Sequence, residues 1–298
     1  MTGVGDSEGM RKHKHKFVLK RIVNAVSILF PENYRLGTTR VCVASPCLPA
    51  VFDGFRMVQI SDLHGCRFGT GNSRLLAAVA AEKPDLIALT GDIADRETRD
   101  YEMIFRFAKA LCGQSPVCFA YGNHEQELLP SRRKEFLAGL RKAGVRILDN
   151  GSARLERGGE AIALFGVRVP LRYYRWNSRR RRRPEVSEDL LGRLLGPRGP
   201  EYTVLLAHNP LYFEAYAAWG ADLTLSGHVH GGMLRLPRLG GLLSPERSFF
   251  PRYSAGLYRL GGRSMEVSRG LGRGPRINNP PEVVSITLCR AERVRPNP

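Results

Sequence analysis

The chain has 298 residues, of which 43% are hydrophobic and 25% are charged. These values are ordinary for a globular protein and indicate neither a disordered chain nor a protein with several membrane spans. A chain of this length fits one catalytic α/β domain with a single large core. The formal net charge of +18 does not bear on the fold, but it does bear on binding partners and solubility.

The positive charge is unevenly distributed along the chain. Residues 1–50 carry a net charge of +5, and residues 172–183 contain seven arginines and no acidic residue. Residues 235–298 add +8, whereas 51–171 and 184–234 together sum to −2. The part of the chain that carries the motifs described below is therefore nearly neutral, and the basic segments are candidates for binding a surface or a substrate.

Six cysteines are spread along the chain, and none forms a CxxC pair. The spacing is not that of a zinc ribbon, and the chain is much longer than small scaffolds held together by disulfides. We therefore expect the cysteines to be reduced and the protein to be cytoplasmic.

Residues 1–35 form a basic and partly apolar N-terminal segment. Residues 11–16 are all Arg, Lys or His, and apolar residues recur at helical spacing through residues 17–29. Lys20 and Arg21 interrupt the apolar stretch, and no small-residue cleavage site is evident, so a spanning helix and a cleavable signal both fit poorly. We expect an amphipathic helix lying on the inner face of the cell membrane, with an ordinary helix docked on the domain as the alternative.

From residue 54 the sequence alternates apolar strand, polar tip and helix three times. Each apolar run is short and ends in polar residues, and helical periodicity follows it. The strands are predicted at 54–60, 85–90 and 116–121, their polar tips at Ser61–His64, Gly91–Asp92 and Gly122–Glu125, and the helices at 72–81, 101–111 and 132–143.

The second half of the chain repeats the pattern of apolar runs with polar tips. Strands 202–207 and 222–226 end at His208–Asn209 and Gly227–His230. Ligands bind at strand ends in α/β sheets, so we expect the polar tips of both halves to converge. The other predicted elements are short strands at 145–148, 161–167, 264–268 and 283–288 and a helix near 187–195.

The residue types at these five tips suit a pair of divalent cations. Two cations about 3.5–4 Å apart need a bridging carboxylate together with oxygen and imidazole ligands. One histidine at a strand end is more often an ordinary surface or core residue. An ordered set of Asp, His and Asn at five strand ends argues instead for a shared metal site.

Together the five motifs resemble those of the calcineurin-like metallophosphoesterase superfamily, over about residues 53–290. The flanking sequences 267–272 and 280–282 are similar to those of a bacterial subgroup whose members often carry an N-terminal membrane-directing segment. The motifs are Asp62-Leu63-His64, Gly91-Asp92, Gly122-Asn123-His124-Glu125, His208 and Gly227-His228-Val229-His230.

The resemblance implies an α/β fold of two packed mixed β-sheets flanked by helices. Residues 36–292 would form this domain, with an insertion at 171–184 and a tail at 293–298. The resemblance also implies two metal ions with Asp92 as the bridging ligand. One ion would be bound by Asp62, His64, Asp92 and His230, and the other by Asp92, Asn123, His208 and His228.

The implied reaction is hydrolysis of a phosphodiester or a pyrophosphate by a hydroxide that bridges the metals. His124 is the expected general acid, placed near the leaving-group oxygen. Glu125 is expected to support the ligands rather than to bind metal. Mixed nitrogen and oxygen ligands suit Mn, Fe, Zn, Co or Ni, and the sequence does not choose among them.

The arginine-rich insertion at 171–184 departs from the family's pattern. We expect its aromatic and basic side chains to bind an anionic membrane surface or a phosphorylated substrate that is linked to a lipid. A solvated loop is the alternative. The candidate residues are Tyr173, Tyr174, Trp176, Arg179, Arg180, Arg181, Arg182 and Arg183.

Two other classes of function remain open at this point. A nucleic-acid or nucleotide phosphodiesterase would use the same metal site together with a basic surface. A non-catalytic basic scaffold would be expected to have lost metal ligands, and none of the motif residues is missing here. The natural substrate, the preference for monoesters or diesters and the oligomeric state do not follow from the sequence.

Overall fold

Strands make up most of the framework in the computed structural model, which describes residues 35–174, 184–232, 234–236, 240–242, 250–272 and 276–291. The strands are β1 (Gly37–Ser45), β2 (Arg56–Ile60), β3 (Leu86–Leu89), β4 (Val117–Phe119), β5 (Arg146–Ile147), β6 (Gly151–Arg157), β7 (Glu160–Val167), β8 (Tyr202–Ala207), β9 (Leu223–Ser226), β10 (Arg235–Leu236), β11 (Gly240–Gly241), β12 (Gly256–Leu260), β13 (Arg263–Val267) and β14 (Glu282–Arg290). The α-helices are α1 (Ser73–Ala81), α2 (Glu102–Cys112), α3 (Asn123–Glu127), α4 (Pro130–Lys142), α5 (Glu188–Leu195) and α6 (Phe213–Trp219).

Two mixed sheets contain most of these strands. Within the described residues, sheet A has the order β1-β14-β2-β3-β4-β5, and sheet B has the order β12-β13-β9-β8-β7-β6. In sheet A, β2 to β5 run parallel, whereas β14 is antiparallel to β2 and parallel to β1. In sheet B, β13, β9, β8 and β7 are parallel, and antiparallel partners close both edges.

The two sheets pack face to face around an apolar core. Met57 and Ile286 of sheet A share this core with Leu164, Val204 and Leu223 of sheet B, and all five side chains are buried. Burying such side chains is the main favourable term in folding. Face-to-face packing leaves the outer face of each sheet to be covered by helices.

Helices cover the outer face of each sheet. Val79 of α1 and Leu140 of α4 pack in one cluster with Ile87 of β3, and Leu191 of α5 and Tyr216 of α6 pack in another with side chains of sheet B. Because β3 contributes to the cores on both sides, it is apolar throughout, as expected for a central parallel strand. The predicted fold of two packed mixed sheets flanked by helices is confirmed.

Cys42 of β1 and Cys289 of β14 form a disulfide. The expectation of reduced cysteines is therefore wrong for this pair. The register places Cys42 opposite Thr287 and Cys289 opposite Ala44, so the two cysteines lie diagonally across neighbouring strands with their Cα atoms 6.3 Å apart. The sequence separation of 247 residues hides this proximity, which arises only when the two strands pair.

Some predicted features lie outside the described residues, namely residues 1–34, Trp176, Arg179 to Arg183 and the tail at 293–298. Within the ranges given above, no helix combines the length and apolar character needed to cross a membrane. Because residues 1–34 lie outside the described residues, the interfacial helix at the N-terminus stays a prediction.

Candidate metal centre

The predicted site residues follow the ends of neighbouring strands. β2, β3 and β4 are adjacent and parallel in sheet A, and β8 and β9 are adjacent and parallel in sheet B, so the polar tips of each sheet share one edge. Asp62 and His64 follow β2, Asp92 follows β3, Asn123 and His124 follow β4, His208 follows β8, and His228 and His230 follow β9.

Two buried carboxylates, Asp62 and Asp92, lie among the histidines. Asp62 Oδ1 is 3.3 Å from His230 Nε2 and 3.7 Å from His208 Nε2. Asp92 Oδ2 is 3.1 Å from His208 Nε2 and 4.0 Å from His64 Nε2. Both aspartates are at most 1% exposed. His208 thus lies between the two carboxylates and connects the tips of the two sheets.

Among the described residues, three overlapping groups of side chains have ligand atoms within 4.8 Å of one another, which is close enough to share a metal ion. Asp92 belongs to two of these groups, as a bridging ligand must. His124 belongs to one of them, so the geometry also allows its imidazole to bind metal. The groups are Asp62, His64 and His230; His64, Asp92 and His124; and Asp92, His208 and His228.

Buried polar atoms without hydrogen-bond partners lie at the cluster. Within the described structure these include Asn123 Oδ1 and His208 Nε2. Such atoms are rare in folded proteins. His208 Nδ1 lies 2.7 Å from the Thr90 carbonyl oxygen, which can only accept, so Nδ1 carries a proton and Nε2 is the nitrogen that can bind a metal once it has lost its own proton. The donor set therefore fits divalent cations of the kind that bind oxygen and imidazole nitrogen.

Charge couples the ionisation of the histidines to that of the aspartates. Burial alone would lower the pKa of His208, but the charges of Asp92 and Asp62 raise it to about 10. Burial alone would raise the pKa of Asp62, but His230 and His208 hold it well below its usual range. The protons of His208 and His64, whose pKa values are raised by the neighbouring carboxylates, thus offset carboxylate charge in the metal-free protein, whereas burial lowers the pKa of His230. Cations that bind here must displace those protons.

Five of the predicted ligands have a left-handed backbone, which is uncommon for residues other than glycine. Residues in this conformation concentrate at functional sites and persist only where the surrounding structure holds them. The φ angles are 52° at Asp62, 47° at His64, 53° at Asp92, 70° at His228 and 52° at His230.

Glu125 holds the loops that follow β3 and β4 together. Its buried carboxylate accepts hydrogen bonds from the backbone amides of Asp92 (3.0 Å), Ile93 (2.7 Å), Ala94 (3.2 Å) and Gly122 (2.9 Å). Burial and the charge of Asp92 raise the pKa of Glu125 to about 7, whereas the backbone donors lower it. Because its oxygens point at amides, Glu125 supports the cluster from behind.

Asp95 is a site residue that the sequence did not single out. Its Oδ2 lies 3.5 Å from His64 Nδ1, and its Oδ1 accepts hydrogen bonds from Thr98. The only sequence signal is an acidic residue three positions after Asp92, in the same polar tip. Since Asp95 contacts Nδ1 of His64, it leaves Nε2 facing the cluster.

His124 lies on the open side of the cluster. Its side chain is 36% exposed, and its Nε2 is 3.9 Å from Asp92 Oδ2. Its backbone amide donates a 2.8 Å hydrogen bond to Asp92 Oδ1, and its ring meets that of His64 edge-on with the centroids 4.9 Å apart. A molecule that reaches the carboxylates from solvent can therefore contact the His124 imidazole.

The flanks of the arginine-rich insertion lie beside the cluster. The Tyr174 ring is 5.0 Å from the His228 ring, centroid to centroid. The Tyr212 hydroxyl lies 2.5 Å from the Tyr173 carbonyl oxygen and 3.2 Å from that of Pro184, so one side chain contacts both flanks.

The structure corrects the expectation for Tyr173. This side chain is only 9% exposed and packs against Tyr212 within the core beside sheet B, so it has little surface to offer a membrane or a substrate. Tyr174 is half-buried and faces the histidines instead. Of the predicted aromatic candidates in the described residues, Tyr174 alone lies against the cluster.

Comparison with known proteins gives one family. A model described as calcineurin-like phosphoesterase matches residues 55–232. The chain is 28% identical to the uncharacterized metallophosphoesterase YkuE of Bacillus subtilis, over 86% of this chain and 87% of the relative. It is 31% identical to the phosphodiesterase YaeI of Escherichia coli, over 78% and 82%. It is 26% identical to the UDP-2,3-diacylglucosamine pyrophosphatase LpxG of Chlamydia trachomatis, over 83% and 88%.

Proposed function

The chain belongs to the calcineurin-like phosphoesterase family, and on that premise we propose that it hydrolyses a phosphodiester or a pyrophosphate with two divalent metal ions. It is a metal-dependent phosphoesterase, and the alternative of a non-catalytic scaffold is set aside. The observation that carries the proposal is the pair Asp62 and Asp92, buried together with His208 Nε2 within 3.7 Å of both. Such a pair of carboxylates needs compensating positive charge.

We assign the ligands as the family motifs imply, with Asp92 shared between the two ions. When bound, the metals activate water and neutralise charge on the phosphoryl oxygens. Mn, Fe, Zn, Co and Ni all remain candidates. One ion is assigned to Asp62, His64, Asp92 and His230, and the other to Asp92, Asn123, His208 and His228.

The remaining steps fall to side chains around the ligands. His124 is assigned as the general acid that protonates the leaving oxygen, because its imidazole is partly exposed and lies beside Asp92. Asp95 orients His64, and Glu125 holds the loop that carries Asp92. Tyr174 is assigned to the wall of the substrate site beside His228.

The proposal is tested by Mn-supported hydrolysis of an alkyl phosphodiester, whose leaving alkoxide needs a proton, by the full chain. Asp92→Asn removes the shared charge and His124→Ala removes the acid, and we expect each to lower kcat by 10²-fold or more. Glu127→Ala, in the same helix as His124, is the matched control and should retain activity. If both site variants kept wild-type activity, the assignment would be refuted.

The identity of the leaving group separates two roles for His124. A nitrophenolate leaves without protonation, whereas an alkoxide needs a proton, so a general acid matters more for the alkyl ester. We expect His124→Ala to lose more activity on an alkyl phosphodiester than on the nitrophenyl one, with metal content unchanged. Equal losses on both substrates together with loss of a metal would identify His124 as a ligand.

For the substrate we propose a lipid-linked phosphoester. The support is the likeness to LpxG, a pyrophosphatase of a diacylated nucleotide sugar, together with the basic segments at 1–35 and 171–184. Assays on a phospholipid, a lipid-linked nucleotide pyrophosphate and single-stranded DNA separate this proposal from a nuclease. Preference for DNA, with activity that falls steeply as salt rises, would instead favour the nuclease.

We also propose that the two basic segments bind an anionic membrane surface. Co-sedimentation with vesicles containing phosphatidylglycerol tests this in a variant that lacks residues 1–30 and has Arg179 to Arg183 changed to Gln. We expect binding to fall strongly relative to wild type. Unchanged binding would exclude the membrane proposal while leaving the phosphoesterase assignment intact.

The proposed location is the cytoplasm, at the inner face of the membrane. The Cys42–Cys289 disulfide argues against it, because disulfides are uncommon in reducing compartments. Alkylation of thiols in intact cells before lysis tests the location. Labelling of Cys42 and Cys289 would support the cytoplasm, and protection of both would exclude it.

A further inference from the structure

A loop beyond the family match, residues 268–272, runs directly against one half of the metal cluster. A Cβ added at Gly270 would lie 2.7 Å from the Cβ of Asp62, and one added at Gly272 would lie 2.7 Å from His64 Cδ2 and 3.2 Å from His230 Cε1. Only glycine fits at such distances. The loop therefore forms a wall against Asp62, His64 and His230, which share one ligand group.

Arg276 fixes the shape of this loop. The residue is 2% exposed, and its guanidinium donates to three loop carbonyls, those of Arg269 (3.0 Å), Gly270 (3.1 Å) and Gly272 (3.0 Å). Nη1 also donates to the carbonyl of Asn279 at 3.2 Å. A buried guanidinium with all three nitrogens engaged by backbone acts as a rigid internal template.

Asn279 fixes the turn that carries His230. The residue is fully buried, and its amide nitrogen donates to the carbonyls of His230 (2.7 Å) and Gly232 (2.8 Å). His230 has a left-handed backbone, which needs such support. Because Arg276 bonds to Asn279, the glycine loop and the histidine turn are held as one unit.

The other half of the cluster is held by different groups. Glu125 binds the backbone at Asp92, and the Thr90 carbonyl orients His208. Among the hydrogen bonds of the described residues, neither Arg276 nor Asn279 contacts these groups. Backbone bonds from Asp62 to Gly91 and from His64 to Asp92 join the two halves, but the side chains of Arg276 and Asn279 support only the half that contains Asp62, His64 and His230.

We propose that Arg276 and Asn279 are positioning residues for the metal ion held by Asp62, His64 and His230, and not for the other ion. The inference rests on the proposed function, because it presupposes two bound metals. Both residues lie beyond residue 232, where the match to the family model ends, so they extend the site into the C-terminal part of the chain.

Titration of the metal-free full chain with Mn²⁺ tests the proposal, with calorimetry for stoichiometry and affinity and EPR for coupling between the two ions. Wild type should bind two equivalents and show the spectrum of a coupled pair. Arg276→Met and Asn279→Ala should keep one equivalent near wild-type affinity and bind the other 10- to 100-fold more weakly, with the coupled spectrum lost at low Mn²⁺. Asn72→Ala is the matched control, since Asn72 is equally buried but bonds to the Phe68 amide.

The outcomes are distinct. Equal weakening of both metal sites, or no weakening of either, would overturn the proposal. Fewer than two equivalents in wild type would overturn the proposed function itself. If Arg276→Met and Asn279→Ala fail to fold, Gly272→Ala supplies the test, because its added methyl presses on His64 and His230 while the guanidinium remains. The same selective loss is expected there, and its absence would count against the proposal.

Discussion

His64 Nδ1 lies 3.5 Å from Asp95 Oδ2, while Nε2 of the same ring is 3.3 Å from His230 Nε2 and 4.0 Å from Asp92 Oδ2. The Asp95 carboxylate thus contacts Nδ1 of the His64 imidazole, and Nε2 of the same ring faces the cluster. A partner of this kind fixes both the ring orientation and the position of its proton. Asp95 is itself fixed by hydrogen bonds from the Thr98 amide and hydroxyl.

Replacing Asp95 should therefore weaken metal binding without touching a ligand. We expect Asp95→Ala to lower the affinity for Mn²⁺ by 10- to 100-fold, because His64 loses its orienting partner. Asp95→Asn keeps a hydrogen-bond acceptor, so its affinity for Mn²⁺ should lie between those of Asp95→Ala and wild type. Calorimetric titration measures the effect, with Glu97→Gln in the same loop as control. Wild-type affinity in Asp95→Ala would show that His64 needs no such partner.

Glu125→Gln should destabilise the metal-free fold. The glutamine side chain places an NH₂ group, which can only donate, where a carboxylate oxygen accepted from backbone N–H groups. At least one buried backbone N–H therefore loses its acceptor. Each unsatisfied buried group costs about 1–3 kcal/mol, and we expect the free energy of unfolding to fall by roughly that amount or more. Urea unfolding measures it, and the partly exposed Glu127→Gln is the control. An unchanged midpoint in Glu125→Gln would contradict the role of Glu125 in holding the two loops.

Glu266 should make stability depend on pH. It is fully buried on β13, and neither carboxylate oxygen has a hydrogen-bond partner among the described residues. Burial, followed by the charge of Glu282, raises its pKa from 4.5 to about 8. Below 4.5 the folded and unfolded states both hold the proton. Between 4.5 and about 8 only the folded state does, so the free energy of unfolding falls as pH rises, by on the order of 1 kcal/mol per pH unit.

Glu266→Gln removes this titration. Wild type and variant are compared by urea unfolding from pH 4 to pH 9, and their difference isolates Glu266 from the other groups that titrate. We expect the variant to lose less stability than wild type across that window. Glu160→Gln, an exposed carboxylate on β7, should follow wild type. Parallel curves for Glu266→Gln and wild type would show that Glu266 is ionised in the folded state.

The Cys42–Cys289 disulfide should make stability depend on reductant. It closes a span of 247 residues, and disulfides contribute about 2–5 kcal/mol, chiefly by restricting the unfolded chain. Dithiothreitol should lower the free energy of unfolding of wild type by roughly that amount. Cys42→Ser should have the free energy of unfolding of reduced wild type, with or without dithiothreitol. Cys47→Ser, which removes an exposed free thiol, should behave like wild type. If dithiothreitol left the free energy of unfolding of wild type unchanged, Cys42 and Cys289 would not be bonded in solution.

The sequence predicts the central strands and their polar ends well. β8 begins and ends where its apolar run does, because a central parallel strand is buried on both faces and its limits coincide with the limits of apolar character. The histidines and aspartates stand out in the sequence because each follows the C-terminal end of an apolar run. The structure then brings them together from strands of two different sheets.

Features that depend on distant pairing could not be predicted. β6 has mostly exposed residues and little apolar character, and it becomes a strand through its pairing with β7. β1 pairs with the last strand of the described chain, which brings Cys42 to Cys289. Arg276 looks like an ordinary surface residue in the sequence, yet it is buried because a loop of carbonyls surrounds it. The type of a residue does not reveal that its side chain bonds to backbone carbonyls.

The Tyr212 hydroxyl, which contacts the carbonyls of both Tyr173 and Pro184, has an evolutionary consequence. The carbonyls of residues 173 and 184 are thus held at one point, and the cost of closing a loop grows only slowly with its length. The stretch between these two residues can therefore be lengthened, shortened or exchanged without moving the strands that carry the aspartates and histidines. On the proposed role of the insertion in binding a substrate or a membrane, selection can change what is recognised while the strands that carry the aspartates and histidines are inherited unchanged.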